Sequence, residues 1–220
     1  MFSKHLTLAI LTIAFFACSK KEPNYGAPLE YSGQTYKTVK IGKQTWMAEN
    51  LNYEAEGSVC YKNKPAYCAK YGRLYNWETA MKVCPEGWHL PSDAEWTILT
   101  DYVGLDAETK LIAKSDWYSY KGKYRNNTDS YGFSALPGGY FDVFNGCFRN
   151  VGYFGHWWSA TEKSSSNGAC FRSMGYLFYC GGGKDSRLGP LLCYLGYYFS
   201  SVNRHCSSKS YLNSVRCIQD

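Results

Sequence analysis

"CPEGWHLPSDAEW", Cys84 to Trp96, packs a cysteine, two tryptophans, a histidine, two prolines and three acids into thirteen residues. Read as chemistry, it offers a Cys84–His89 nucleophile and base, or Asp93 and Glu95 as paired carboxylates. Read as structure, it is the start of a helix, and that reading accounts for more of the residues. Ser92 stands at an N-cap, and Glu95, three residues on, completes a capping box. Asp93 and Glu95 lie in the first turn, where the helix end is positive. Trp96, Leu99 and Val103 then recur at helical spacing, and Gly104 supplies the stop. Pro85 and Gly87 turn the chain between Cys84 and His89, which separates the nucleophile from its base. His89 alone has no assignment.

Upstream, "YNWETAMKVC" predicts a second short helix, with Asn76 as N-cap and Trp77, Ala80, Met81 and Cys84 on one face. "CYKNKPAYC" reads as a short loop that Cys60 and Cys68 could close, with Pro65 supporting its turn. Before it, "TYKTVKIGKQTWM" alternates Tyr36, Thr38 and Lys40 against Lys37, Val39 and Ile41, breaks at Gly42-Lys43 and resumes at Gln44. That pattern predicts an N-terminal β-hairpin with one buried face.

The first segment stands apart. Lys4 precedes an apolar or weakly polar run from Leu6 to Ala17, long enough for a signal-peptide core and too short to span a bilayer. Ala17-Cys18, followed by polar "SKKEPN", has the form of a bacterial lipoprotein signal. The expected organisation is a signal over 1–17, a lipidated Cys18 with a tether over 18–32, and one domain over 33–220. The protein would then be exported and held by its lipid to the outer membrane at the cell surface. The "EPN" of Glu22 to Asn24, which mimics a calcium-lectin sugar motif, falls in that tether and is set aside.

The formal charge of +6 becomes +5 when Lys4 leaves with the signal, and the basic residues are scattered, which argues against nucleic acid as a partner. Nine cysteines follow Cys18, an odd number for an exported chain in which disulfides are expected. None forms C-x-x-C, and the histidines are not at metal-ligand spacing from them, so neither a metal site nor a cofactor is expected.

After Asp116 the chain predicts no helix. "YGFSALPGGYF", "GYFGHWWSAT" and "CFRSMGYLFYCGGG" are too rich in glycine for helices and too aromatic for disorder, and read as short strands and turns. The fold class is therefore α+β: hairpin, two short helices, then a long irregular β and loop region. Tyr, Ser, Gly and Asn in this region compose an adaptable binding surface, with rings that can stack on sugars. Trp157 and Trp158 point opposite ways along a strand and are assigned chiefly to the core. Tyr197, Tyr198, Asn203 and Tyr211 are the candidate ligand-binding residues.

Five blocks in order, "VKIGKQTWMAENLNY", "YGRLYNWETAMKVCPEGWHLPSDAEW", "YGFSALPGGY", "WWSAT" and "SVRCIQD", resemble the Fibrobacter succinogenes major paralogous domain, a family of exported bacterial proteins without an established activity. "GWHLPSDAEW" with a C-terminal "VRC" is also similar to pieces of the formylglycine-generating enzymes. The resemblance implies a C-type-lectin-like fold whose terminal strands lie together, and a disulfide from the early helix to the last strand, Cys84 to Cys217, with Cys60–Cys68 local. It leaves the pairing of Cys147, Cys170, Cys180, Cys193 and Cys206 open. Cys193 and Cys206 are too far apart to match the copper-binding cysteines of formylglycine-generating enzymes, so that activity is not carried over. The reading that results is a cell-surface binding or adhesion module with a glycan or protein ligand. A thiol- or copper-dependent oxidase and a purely structural envelope protein are the alternatives.

Overall fold

The computed structural model describes residues 22–118, 126–163, 167–175 and 202–220. In chain order its elements are β1 (Leu29–Tyr31), β2 (Gln34–Tyr36), β3 (Thr38–Ile41), β4 (Gln44–Met47), β5 (Ser58–Val59), a 3-10 turn over Tyr61–Asn63 and α1 (Pro65–Tyr71). There follow β6 (Leu74–Tyr75), α2 (Trp77–Ala80), β7 (Trp88–His89), α3 (Asp93–Val103) and α4 (Ala107–Leu111). The remainder is strand: β8 (Tyr140–Asp142), β9 (Cys147–Arg149), β10 (Phe154–Glu162), β11 (Gly168–Gly175), β12 (Asn203–Ser208), β13 (Asn213–Ser214) and β14 (Ile218–Gln219). The class is α+β.

The hairpin β3–β4 pairs Thr38 with Met47 and Ile41 with Gln44 across a two-residue turn, and Gly42 adopts φ +63 there. A positive φ at the first turn residue matches the twist of the flanking strands and is cheap only for glycine. β14 docks against β4 and also pairs with β7, giving a four-stranded sheet in the order β3-β4-β14-β7. A larger sheet runs β12-β11-β10-β13-β6-β5, antiparallel except where β13 meets β10.

Two cores lie on opposite faces of these strands. One gathers Val39, Ile41, Trp46, Trp96, Leu99, Val103, Phe133, Trp157 and Ile218. The other gathers Tyr36, Met47, Leu51, Tyr75, Trp77, Val83, Trp158, Val215 and Cys217. Successive side chains on a strand point to opposite faces. Trp46 and Met47, Trp157 and Trp158, and Cys217 and Ile218 therefore divide one to each core. The Trp pair is fully buried on both sides. For the same reason the expected single buried face of the hairpin needs correction. Tyr36 and Thr38 are buried too, Thr38 donating to the carbonyl of Ala27, and only Lys40 of that row is exposed.

α3 forms as the sequence predicts. Ser92 accepts from the Glu95 amide, Glu95 accepts from the Ser92 amide, Trp96, Leu99 and Val103 are buried, and Gly104 ends the helix. Such a cap stabilises by about 1 kcal/mol. Asn76 likewise accepts from Thr79, but α2 is one turn long. Met81 lies beyond it and is exposed, while Val83 takes the core position.

Two helices escape the sequence reading. Pro65 occupies the first position of α1, where its missing N–H is no loss and its fixed φ favours the helix, so "PAYCAKY" is helical and not a loop. α4 starts after Asp106 in the left-handed region, with no side-chain cap to announce it. Residues 24–31, expected in the tether, are hydrogen-bonded into the domain. Lys40 donates to Asn24 at 2.8 Å, Gly26 to Thr38 at 3.1 Å, and β1 pairs with β2.

Three disulfides cross-link the described residues: Cys60–Cys68, Cys84–Cys217 and Cys170–Cys206. The last joins residues directly opposite in the β11–β12 ladder. Cys147 is a free thiol, and Cys18, Cys180 and Cys193 lie outside the described residues. Cys206 is engaged with Cys170 and so has no thiol to share with Cys193.

Candidate ligand-binding face

Strand register decides which side chains of the second half share a surface. Asn203 pairs with Ser173 and His205 with Phe171, while His156 pairs with Ser173 and Phe154 with Gly175. Asn203, His205, Phe171, Ser173, His156 and Phe154 therefore stand on one face of the larger sheet. The opposite face carries Arg172 and Arg204, both ion-paired with Asp93 at 2.7 and 2.6 Å, which ties the sheet to the start of α3.

The rings on the first face touch in sequence. His205 lies 5.5 Å from Phe171, Phe171 lies 5.3 Å from His156, and His156 lies 4.8 Å from Tyr140. Tyr140 continues to Tyr211 at 6.0 Å, and Tyr211 to Phe144 at 5.6 Å. Phe144, at the tip of the β8–β9 hairpin, is 70% exposed. Asp142 holds that tip by accepting from the amide and side chain of Asn145 and from Arg149. These bonds, the Asn145 side chain foremost, keep its carboxyl below the usual range. The other side of the hairpin turns Phe141 and Phe148 toward Tyr61 and Tyr67 of the disulfide loop.

His156 is half-buried among these rings, and burial, aided by repulsion from His205, pushes its pKa down to about 3. It is a neutral imidazole at physiological pH. The face thus combines aromatic area, uncharged imidazoles and amides with the mutually neutralised Asp142–Arg149 pair, which suits stacking and hydrogen bonding.

Of the candidate residues read from sequence, Asn203 and Tyr211 fall on this face. Tyr211 is partly buried, its ring packed on the second core as well as in the band. Tyr197 and Tyr198 lie outside the described residues. His156, Phe171, Tyr140 and Phe144 were missed. The alternation in "FGHWWSAT" already separates His156 from Trp157, but the pairing that brings Tyr140 and Tyr211 beside it is not local.

The stretch that opened the sequence analysis holds no such surface. Cys84 is bonded to Cys217, and His89 sits between two carboxylates. Its Nδ1 is 2.6 Å from Asp220 and its Nε2 is 2.8 Å from Glu95. Burial pulls the His89 pKa down, but the bonds to Asp220 and Glu95 outweigh it and raise the value above 6.5. Glu95 is held below the usual carboxylate range, burial being outweighed by the Ser92 and His89 bonds. His89 therefore clamps β14 to the capped end of α3.

Only the imidazolium donates to both carboxylates. The clamp is fully present below pH 6.5 and is lost as pH rises through the raised native value. Because the pair is partly exposed, its share is below about 1 kcal/mol. Thermal unfolding of the protein and of His89→Asn should diverge at acidic pH and converge above neutrality. Parallel curves would remove the clamp.

The sequence profile of one family, described as the Fibrobacter succinogenes major domain, matches residues 39–219. No curated protein and no solved structure matches the chain.

Proposed function

The chain belongs to the Fibrobacter succinogenes major domain family, and we propose that it is an exported, lipid-anchored binding module. Its lectin-like domain holds a glycan or a surface protein against the aromatic band. The observation that carries the reading is the unbroken run of rings from His205 to Phe144, with Asn203 on the same face and an exposed phenylalanine at its end. Rings held rigid by a ladder and a braced turn lose little entropy on binding, which is how aromatic-rich surfaces gain affinity. The signal-like segment ending at Ala17-Cys18 supports the anchor, and the band then faces the medium or a neighbouring cell.

Binding of the full chain to immobilised glycans and envelope proteins tests the reading. Phe144→Ala, which removes an exposed ring and no core contact, should weaken capture about tenfold. Wild-type protein that captures nothing, or a variant that captures as well, would sink it. Cys18→Ala should move the protein from the membrane fraction to the soluble one, and retention in the membrane would refute the anchor.

A further inference from the structure

The Cys60–Cys68 loop packs Tyr61 and Tyr67 against the far side of the β8–β9 hairpin, and its other residues wall a separate groove of about 680 Å³. Gln34 of β2 rims it, Asn52 and Tyr53 line its wall, and Asn63, Ala69 and Arg73 close it. A smaller recess of about 130 Å³ shares Gln34, Asn52 and Ala69 and extends it toward Gly72, so the whole is a trough rather than a pit.

We propose that this trough binds a neutral oligosaccharide. Its charge argues for a neutral ligand. Among the described residues, the ionic groups lining the larger groove are Arg73 and Glu54, which pair with each other at 2.7 Å, and the recess adds one of each sign, Glu49 and Lys70, the latter paired with Asp116. An anion would have to displace Glu54, and a cation would meet Arg73.

Its polar groups argue for hydroxyls. Arg73 is 14% exposed and held in place by packing, while Glu54 is 80% exposed and free to exchange partners. Asn52 Oδ1 and Arg73 Nε are buried in the wall and make no hydrogen bond among the described residues, so a ligand reaches the wall through the outer amide and guanidinium atoms. Amide and guanidinium groups on one wall match hydroxyls, which both donate and accept. Tyr53, 5.0 Å from Tyr31 and half-buried, adds ring area for the apolar face of a sugar.

A peptide added as a strand is the competing occupant. The sheet edges in the groove are β5 and β2, two and three residues long, both too short to template it.

The walls are preformed. The disulfide closes the loop, and Lys62 and Asn63 within it stay at φ +54 and +55, a conformation that costs non-glycine residues energy unless the surroundings impose it. Gly72, at φ +75, lets α1 end against the Asn50–Asn52 wall, where a Cβ would come within 2.8 Å of Asn50 Cβ and the Leu51 carbonyl. Ligand binding need not pay to order this trough.

The test is calorimetric titration of the full chain with cellohexaose, xylohexaose and chitohexaose, with polygalacturonate as the anionic comparison. At least one neutral hexasaccharide should bind. Ala69→Trp, which fills the trough from an exposed helix position, and Arg73→Gln should each weaken it about tenfold, and Leu105→Ala, an exposed residue on neither surface, should leave it unchanged. Binding of polygalacturonate alone, binding of none of the four, or groove variants that bind like the wild type would overturn the proposal. The aromatic-band reading is judged separately. If Phe144→Ala abolishes binding and the groove variants do not, the trough falls and the band stands. Ala69→Trp touches no buried contact, so its loss of binding cannot be ascribed to unfolding when its melting temperature is unchanged.

Discussion

Replacing Cys84 and Cys217 together by alanine is expected to lower the unfolding free energy by about 4–5 kcal/mol, the largest effect of the three cross-links among the described residues. The bond closes a loop spanning 133 residues, against 36 for Cys170–Cys206 and 8 for Cys60–Cys68. The entropy removed from the unfolded chain grows with the logarithm of loop length, so removing Cys60–Cys68 should cost only about half as much. Position reinforces length. Cys217 is fully buried in the second core, its carbonyl accepts from the Met47 amide, and the next residue begins β14. Without the bond, the strand that joins β4 to β7 is held by a few ladder bonds and the His89 clamp. Urea unfolding of the two double variants decides the matter. Equal losses, or a smaller loss for Cys84/Cys217, would show that the unfolded chain is not what this bond constrains.

Asn50→Ala should cost about 3–5 kcal/mol, more than removal of the arginine it serves. Arg216 is fully buried with no carboxylate within ion-pairing distance among the described residues. Burial lowers its pKa to about 9, which still leaves it charged at neutral pH. Its guanidinium donates to Asn50 Oδ1 at 2.8 Å, to the Phe133 carbonyl and to the Ser134 carbonyl at 3.3 Å, and lies 4.4 Å from the Phe133 ring centre. Asn50 Oδ1 also accepts from Trp157 Nε1 at 2.8 Å, and its Nδ2 donates to the Tyr71 carbonyl at 2.9 Å.

Two donors that cannot accept fix which end of the amide points inward. Truncating Asn50 takes a partner from the buried guanidinium and leaves the Trp157 N–H and the Tyr71 carbonyl unpaired in the core at once. Arg216→Met removes the buried cation, keeps most of the volume, and leaves Trp157 its partner. It should cost about 1–3 kcal/mol. Denaturant unfolding that ranks Arg216→Met as the more damaging change would reverse this account, and the arginine would then be stabilising in its own right.

How far the sequence reading reached follows from the range of the forces involved. Ser92 with Glu95, Asn76 with Thr79 and Gly42 at a two-residue turn are contacts within a few residues, and each is visible as a local pattern. α1 and α4 were missed because one begins at a proline that also suits a turn and the other has no cap. The Cys84–Cys217 bond was reached only through family resemblance, since nothing near either cysteine names its partner. Cys170 and Cys206 had no such help and are matched by the register of β11 and β12.

The band and the trough were the least legible. His156 and Tyr140 approach because β8 lies beside β10, and Arg73 reaches Glu54 because β6, which follows it, pairs back on β5.

By itself the sequence determined the α+β class, the capped helix at Ser92, the N-terminal hairpin and the burial of at least one tryptophan of the pair. Helix caps, turn glycines and residue periodicity act over one or two turns, so they survive without the rest of the chain. Tertiary structure alone decided that "CPEGWHLPSDAEW" is a junction. Its cysteine is bonded to Cys217, its histidine is clamped between Glu95 and Asp220, and its tryptophan Trp96 is 4.8 Å from Trp46. Those partners lie as far as 133 residues away, and only packing and strand register bring such distances to contact.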